Sequence, residues 1–242
     1  MKKPKMILFD YGQTLVDQAK FDGVKGSREV LKYATANKYG ISAEELQEKA
    51  DELNRELGRF DPAKRHLNQI EIPNHMFTAY LYESLGITLS LTAEQIDKIF
   101  WDAASPGKPT VGIEELLDFL YQSDIRTGVI SNISFCGKAV IERINAVIPS
   151  NRFEFIIATS EYMYRKPNKR IFELALEKAE LKADEVWYVG DQYECDVVGA
   201  RNAGMFPIYY IGALDTAYER KNDVMEIKSW EELKAYVSDC TD

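Results

Sequence analysis

From Val111 onward the chain alternates helix-like and strand-like segments, and that alternation limits its fold more than any other feature. Ile113, Leu116, Leu117 and Leu120 recur at helical spacing, and Arg126–Ser131 follows as a short strand. A helix-like segment from Phe135 to Val147, a strand at Phe153–Ala158 and a helix opening at Asn168 continue the order, the last with Ile171, Leu174, Ala175 and Lys178 at helical spacing. Then come a strand at 186–190, a further helix, a strand at Pro207–Ile211 and one at Val224–Ile227. Strands separated by helices pair in parallel and are covered on both faces, which makes the fold class α/β with a parallel sheet. The apolar run Met6–Phe9 reads as one more buried strand. Ligands of such sheets gather at the carboxyl ends of the strands. Asp10, Ser131 and Asp191 are therefore expected on one edge, although they lie far apart in sequence.

The interval between Asp10 and Val111 is too long for a simple crossover and is dominated by helical patterns. Ser27–Tyr39, Ala43–Leu57, Asn74–Leu85 and Ala93–Ala104 each read as a helix, and strand signals are scarce. Ser42 with Glu45 forms a capping-box pattern, Pro73-Asn74 and Thr92 mark starts, and Gly40, Gly58 and Gly86 mark stops. Residues 17–105 are thus expected to form a helical cap domain inserted after the first strand, with residues 1–16 and 106–242 forming the core. Phe77, Tyr80 and Tyr82 read as helix-packing residues of that cap.

Charge and composition narrow the function. Thirty Lys and Arg against 39 Asp and Glu give a net charge of -9, which argues against a general nucleic-acid or anionic-membrane surface. A small anionic substrate would need a locally positive pocket. Three widely spaced cysteines suggest neither a disulfide framework nor a zinc site, and a cytoplasmic setting is expected. The basic start Met1–Lys5 precedes an apolar run of only four residues, too short for a signal-peptide core, and no segment approaches the roughly 20 apolar residues of a membrane span.

Four short motifs sit at these strand ends. Asp10-Tyr11-Gly12-Gln13-Thr14 follows the first strand; Ser131-Asn132 closes the second; Arg165-Lys166-Pro167-Asn168 precedes a helix; Gly190-Asp191 closes another strand, with Asp196 and the small-residue run Gly199–Gly204 behind it. In this order and spacing they resemble the four motifs of the haloacid dehalogenase superfamily, whose core is a Rossmann-like parallel sheet. The resemblance implies a hydrolase with Asp10 as nucleophile and Lys166 as the lysine that neutralises a bound phosphate. It further implies Thr14, Ser131 and Asn132 at the phosphate, and a Mg²⁺ ion held by Asp10, the carbonyl of Gly12 and Asp191, with Asp196 in a supporting place. Arg165 beside Lys166 reads as exposed, and Tyr11, facing away from Asp10 along the strand, as packed in the core.

One departure shapes the chemistry. Phosphatases of that superfamily carry a second Asp and a Gly where this chain has Gly12 and Gln13. That second Asp protonates the leaving alkoxide, and glycine cannot. Asp17, Asp22 and Glu161 are candidate stand-ins. The expected activity is Mg²⁺-dependent hydrolysis of a small phosphorylated metabolite through phospho-Asp10. Three rivals share the missing Asp: a metal-free dehalogenase, which Asp191 argues against; a phosphonatase using a cap lysine among Lys20, Lys25, Lys32 and Lys49; and a phosphate-binding protein without turnover.

Overall fold

The structure is a computed structural model that describes residues 2–59, 69–213 and 221–240. In chain order its elements are β1 (Met6–Phe9), β2 (Val16–Gln18), α1 (Gly23–Leu31), β3 (Ala34–Asn37), α2 (Ala43–Glu56), α3 (Asn74–Ser84), β4 (Ile87–Leu89), α4 (Ala93–Ala104) and β5 (Gly107–Pro109). These are followed by α5 (Ile113–Gln122), β6 (Arg126–Ser131), α6 (Gly137–Val147), β7 (Ile156–Ala158), α7 (Lys169–Ala179), β8 (Val186–Gly190), α8 (Gly199–Asn202), β9 (Phe206–Tyr210), β10 (Met225–Ile227) and α9 (Trp230–Ser238).

Six strands form one parallel sheet in the order β10-β9-β8-β1-β6-β7. β1 is central because both of its faces and both of its edges are covered. Strand side chains alternate between faces. Ile7 and Phe9 join Leu116, Ile144 and Trp230 on one side, whereas Met6 and Leu8 join Ile171, Phe172 and Ala175 on the other. The register Phe9↔Val129 and Phe9↔Val189 brings the ends of β1, β6 and β8 level, so the residues that follow them share one edge.

Helices α1 to α4 bury a separate cluster built from Val30, Leu46, Ala50, Leu81, Tyr82, Ile87 and Ile96. The two chain passages between this layer and the sheet pair with each other as the antiparallel ribbon β2–β5, with Val16 opposite Pro109 and Gln18 opposite Gly107. Gly107 keeps that ribbon tight, since a Cβ there would lie 2.5 Å from Cγ1 of Val16.

Several expectations need correction. The helix expected over Ser27–Tyr39 runs from Gly23 to Leu31, and Ala34–Asn37 instead pairs antiparallel with Ile87–Leu89. A strand of Ala, Thr and Asn has little intrinsic preference; it forms because a partner lies about 50 residues away, where a local pattern cannot show it. Strands are therefore present in the 17–105 interval rather than scarce. The strand expected from Phe153 begins only at Ile156, and the helix expected from Phe135 begins at Gly137 with Cys136 as its N-cap. After β8 the chain first makes a π-helical turn over Tyr193–Val198 and only then the short α8. Tyr80, expected to pack, is 63% exposed. α9 was legible but unread: Ser229 caps it, accepting from the backbone N–H of Glu232.

Candidate active site

Every expected site residue lies within the described region, and the sheet edge gathers most of them. Asp10 leaves β1 with its N–H bonded to the Val189 carbonyl at 2.8 Å, which carries the strand geometry one residue past Phe9. Asp191 follows β8, Asp196 comes from the π-helical turn, and one carboxylate oxygen from each of these three buried residues lies within 4.8 Å of the others. Gly190 makes that turn possible, because any Cβ there would occupy the space of the Asp196 carboxylate.

Lys166 enters the same space from the loop before α7. Its ammonium donates to Asp10 Oδ1 at 2.6 Å, Asp196 Oδ1 at 2.6 Å and the Tyr188 hydroxyl at 2.7 Å. A lysine has three N–H donors, so all are engaged. Burial would depress this ammonium, but Asp10 and Asp196 outweigh it and hold the pKa well above the usual lysine value. Burial pushes the Asp196 carboxyl up to about 6, against the pull of Lys166. Burial, reinforced by the charges of Asp10 and Asp196, holds Asp191 well above the ordinary carboxylate range. With all three carboxylates ionised, one ammonium would leave negative charge to be compensated.

Asn132 and Thr14 are bonded into this arrangement. Asn132 brackets the backbone of Lys166: its Nδ2 donates to the Lys166 carbonyl at 2.8 Å and its Oδ1 accepts from the Lys166 N–H at 2.8 Å. Thr14 is buried and donates through Oγ1 to Asp191 Oδ1 at 3.5 Å. Ser131 is buried at the end of β6. Gly12 sits in the loop closed by the Gln13 N–H to the Val16 carbonyl at 2.8 Å. Tyr11 packs in the core as expected and accepts from Arg143 Nε at 2.8 Å.

A cleft of about 660 Å³ opens beside these residues, reaching from Gln13, Asn132 and Gln192 to the helices of the 17–105 segment. Sequence reasoning missed much of it. Arg165 is not exposed: it is 8% accessible, and its Nη1 donates to Glu71 Oε1 at 3.2 Å. Glu71 also accepts from Thr159 Oγ1 at 2.8 Å. Tyr188, the third residue before Asp191, was likewise unread, although period two puts it on the same strand face as Gly190. None of the stand-in acids lines the cleft. Asp17 pairs with Lys108 at 3.4 Å, Asp22 caps α1, and Glu161 accepts from the Gly137 N–H at 2.7 Å.

A family model described as haloacid dehalogenase-like hydrolase matches residues 7–209. The chain belongs to that family. It is a hydrolase of that kind, and the relatives named next include phosphatases. The pyrimidine 5′-nucleotidase YjjG of Escherichia coli is 27% identical over 203 residues, covering 82% of each chain. A glyceraldehyde 3-phosphate phosphatase of Pyrococcus abyssi is 25% identical over 210 residues, covering 85% of this chain and 81% of its own. Among solved structures, a 2-haloacid dehalogenase from Pseudomonas syringae superposes with a TM-score of 0.65 over 98% of this chain and 99% of its own at 22% identity, which speaks for the fold alone. No helix among the described residues is long and apolar enough to cross a membrane.

Proposed function

We propose that the chain is a Mg²⁺-dependent phosphatase of small phosphate monoesters, working through a phosphorylated Asp10. The observation that carries this reading is the cluster around Asp10: two further buried carboxylates within 4.8 Å and a lysine ammonium at 2.6 Å. A site that attacks carbon without a metal can use one further carboxylate, as the base that activates water, but leaves a second without a task. A divalent cation gives both one. Hard oxygen donors suit Mg²⁺, and Asp10, Asp191 and the carbonyl of Gly12 would hold it, with Asp196 in support. When bound, the ion would neutralise phosphoryl oxygens as charge develops on them. The relatives' names support the phosphate ester and differ on the rest of the substrate, a nucleotide in one and a triose phosphate in another.

In this mechanism a carboxylate oxygen of Asp10 attacks phosphorus, the P–O bond to the organic group breaks, and water then cleaves the acyl phosphate. The Ser131 hydroxyl would donate to the phosphoryl oxygens, and Lys166, its three donors held by Asp10, Asp196 and Tyr188, would offset their charge. Asn132 fixes the loop that carries Lys166, and Tyr188 fixes its ammonium. No side chain at Gly12 can protonate the departing oxygen, so esters with weakly basic leaving groups are favoured. The residues 17–105 act as the cap that closes over the cleft. Of the cap lysines a phosphonatase could use, Lys25, Lys32 and Lys49 are exposed and paired with Asp22, Glu29 and Glu52, which leaves Lys20, on the cleft wall, as the residue that alternative would need.

An aryl phosphate assay tests the reading. Hydrolysis should require Mg²⁺ and disappear in Asp10→Asn. Full activity in the presence of EDTA would overturn it, and retention of inorganic phosphate without any hydrolysis would make this a binding protein instead.

A further inference from the structure

We propose that the cleft beside the phosphate site is a nucleoside subsite, so that the ester presented to Asp10 is a nucleotide; this rests on the phosphomonoester reading above. Four rings that line the cleft form one continuous aromatic strip. Phe21 lies 5.9 Å from Phe100 between centroids, Phe100 lies 6.2 Å from Phe135, and Phe135 stacks on Trp101 at 4.9 Å with 23° between planes. The rings come from the passage before α1, from α4 and from the loop before α6, so tertiary structure alone brings them together. Phe21 is 55% exposed, an aromatic ring left open to the cleft rather than sealed in a core.

Two polar atoms on residues that line the same cleft are buried and have no hydrogen-bond partner among the described residues: Asn54 Oδ1, on α2, and Arg165 Nε, next to Lys166. Leaving such atoms unsatisfied is costly, so a small turn of either side chain that brings its atom to a ligand in the cleft is favoured. Asn54 Oδ1 needs an N–H. The Arg165 guanidinium, with Nη1 on Glu71 as its side-chain hydrogen bond, needs an acceptor oxygen. Amino or imide N–H groups beside carbonyl oxygens are what the edge of a nucleobase offers, and its faces are π surfaces that stack on aromatic rings. A triose or pentose phosphate offers hydroxyls but no π face. A lipid chain would leave both polar atoms unpaired. The volume, about 660 Å³, falls in the range of clefts that enclose drug-sized ligands and is generous for a triose.

The nucleotide's 5′ oxygen would leave as an alkoxide, which Gly12 does not assist, so binding is a cleaner readout than turnover. Calorimetric titration of the Asp10→Asn chain with Mg²⁺ present should compare uridine 5′-monophosphate with ribose 5-phosphate. The nucleotide is expected to bind at least about tenfold tighter, the scale of one base stacked on an aromatic surface. That advantage should vanish in Asn54→Leu and in Phe21→Ser, the second an exposed position where folding is not at stake, while affinity for ribose 5-phosphate stays the same. Equal affinities in the parent chain, or an advantage that survives both substitutions, would overturn the subsite, as would binding of neither ligand. The phosphatase reading stands or falls separately, on hydrolysis of the aryl phosphate by the unsubstituted chain.

Discussion

Gly12 and Gln13 depart from the family's usual pair in ways that the backbone separates. Gln13 holds a φ of 56°, in the left-handed region that favours glycine, and it does so with its side-chain Nε2 donating to the Gln18 carbonyl at 3.0 Å. Gly12 is not among the positive-φ residues, so a side chain there carries no backbone strain. A Cβ at Gly12 would meet the Gln18 side-chain amide, its oxygen at 2.6 Å and its carbon at 3.6 Å, and that flexible side chain can move aside. Gly12→Asp is therefore expected to fold and to place a carboxylic acid beside the leaving oxygen. Steady-state rates on an alkyl phosphate should rise about tenfold or more, within reach of the 10²–10⁴-fold that a positioned acid typically contributes, with a smaller gain on an aryl phosphate. A folded variant with no gain on alkyl esters would show that proton supply is not what limits the site.

At the scale of elements, the helices of the 17–105 segment are tied to the sheet domain by a small polar joint. Asp97 on α4 accepts from Asn74 Nδ2 on α3 at 2.6 Å and from the Cys136 N–H at the start of α6 at 2.7 Å. The Asn74 N–H in turn donates to the Ser134 carbonyl at 2.8 Å. Burial holds the Asp97 carboxyl above the usual range, yet two donors aim at its two oxygens. An amide offers one acceptor oxygen and would turn its NH₂ against the other donor. Asp97→Asn should accordingly cost about 1–3 kcal/mol by chemical denaturation, the range for a buried polar group left unsatisfied. An unchanged midpoint would mean that the joint contributes nothing. A second joint lies at the β2–β5 ribbon, where buried Arg143 bonds Tyr11, Asp102 and the Ser105 carbonyl and lies over the Trp101 ring. It links Tyr11, next to Asp10, to the end of α4.

For the whole molecule, the acid cluster is expected to couple stability to pH and to Mg²⁺. Asp196, pushed up to about 6, and Asp191, held well above the ordinary range, bind protons more tightly folded than unfolded, where an aspartate titrates near 3.9. Between about pH 4 and the folded values the native state carries more protons, so this contribution to stability is complete at low pH and is lost as pH rises through the folded values. Under EDTA, raising the pH from 5.5 to 8 should lower the melting temperature more in the parent chain than in Asp191→Asn, which has one such group fewer. Millimolar Mg²⁺ at pH 8 should restore it, because an ion that binds only the folded state adds its binding free energy to stability. A parent chain whose melting temperature ignores both pH and Mg²⁺ would show that the three acids do not act together.

The sequence alone determined the parallel α/β sheet and the edge on which Asp10, Ser131 and Asp191 meet, because strand burial and helix amphipathicity are written in local periodicity. It also marked the starts of α2 and α4, where Ser42 and Thr92 form capping boxes with Glu45 and Gln95. It reached Lys166 only through the motif it resembles; nothing local distinguishes that lysine from a solvated one. Tertiary structure decided what depends on partners distant in the chain. Ala34–Asn37 became a strand because Ile87–Leu89 lay beside it, Arg165 was buried because Glu71 came to meet it, and Tyr188 became a partner of Lys166 because β8 and the loop before α7 converge. The aromatic strip belongs to the same group: Phe21, Phe100, Trp101 and Phe135 are ordinary apolar residues in sequence, and a cleft wall only once α4 packs against α6.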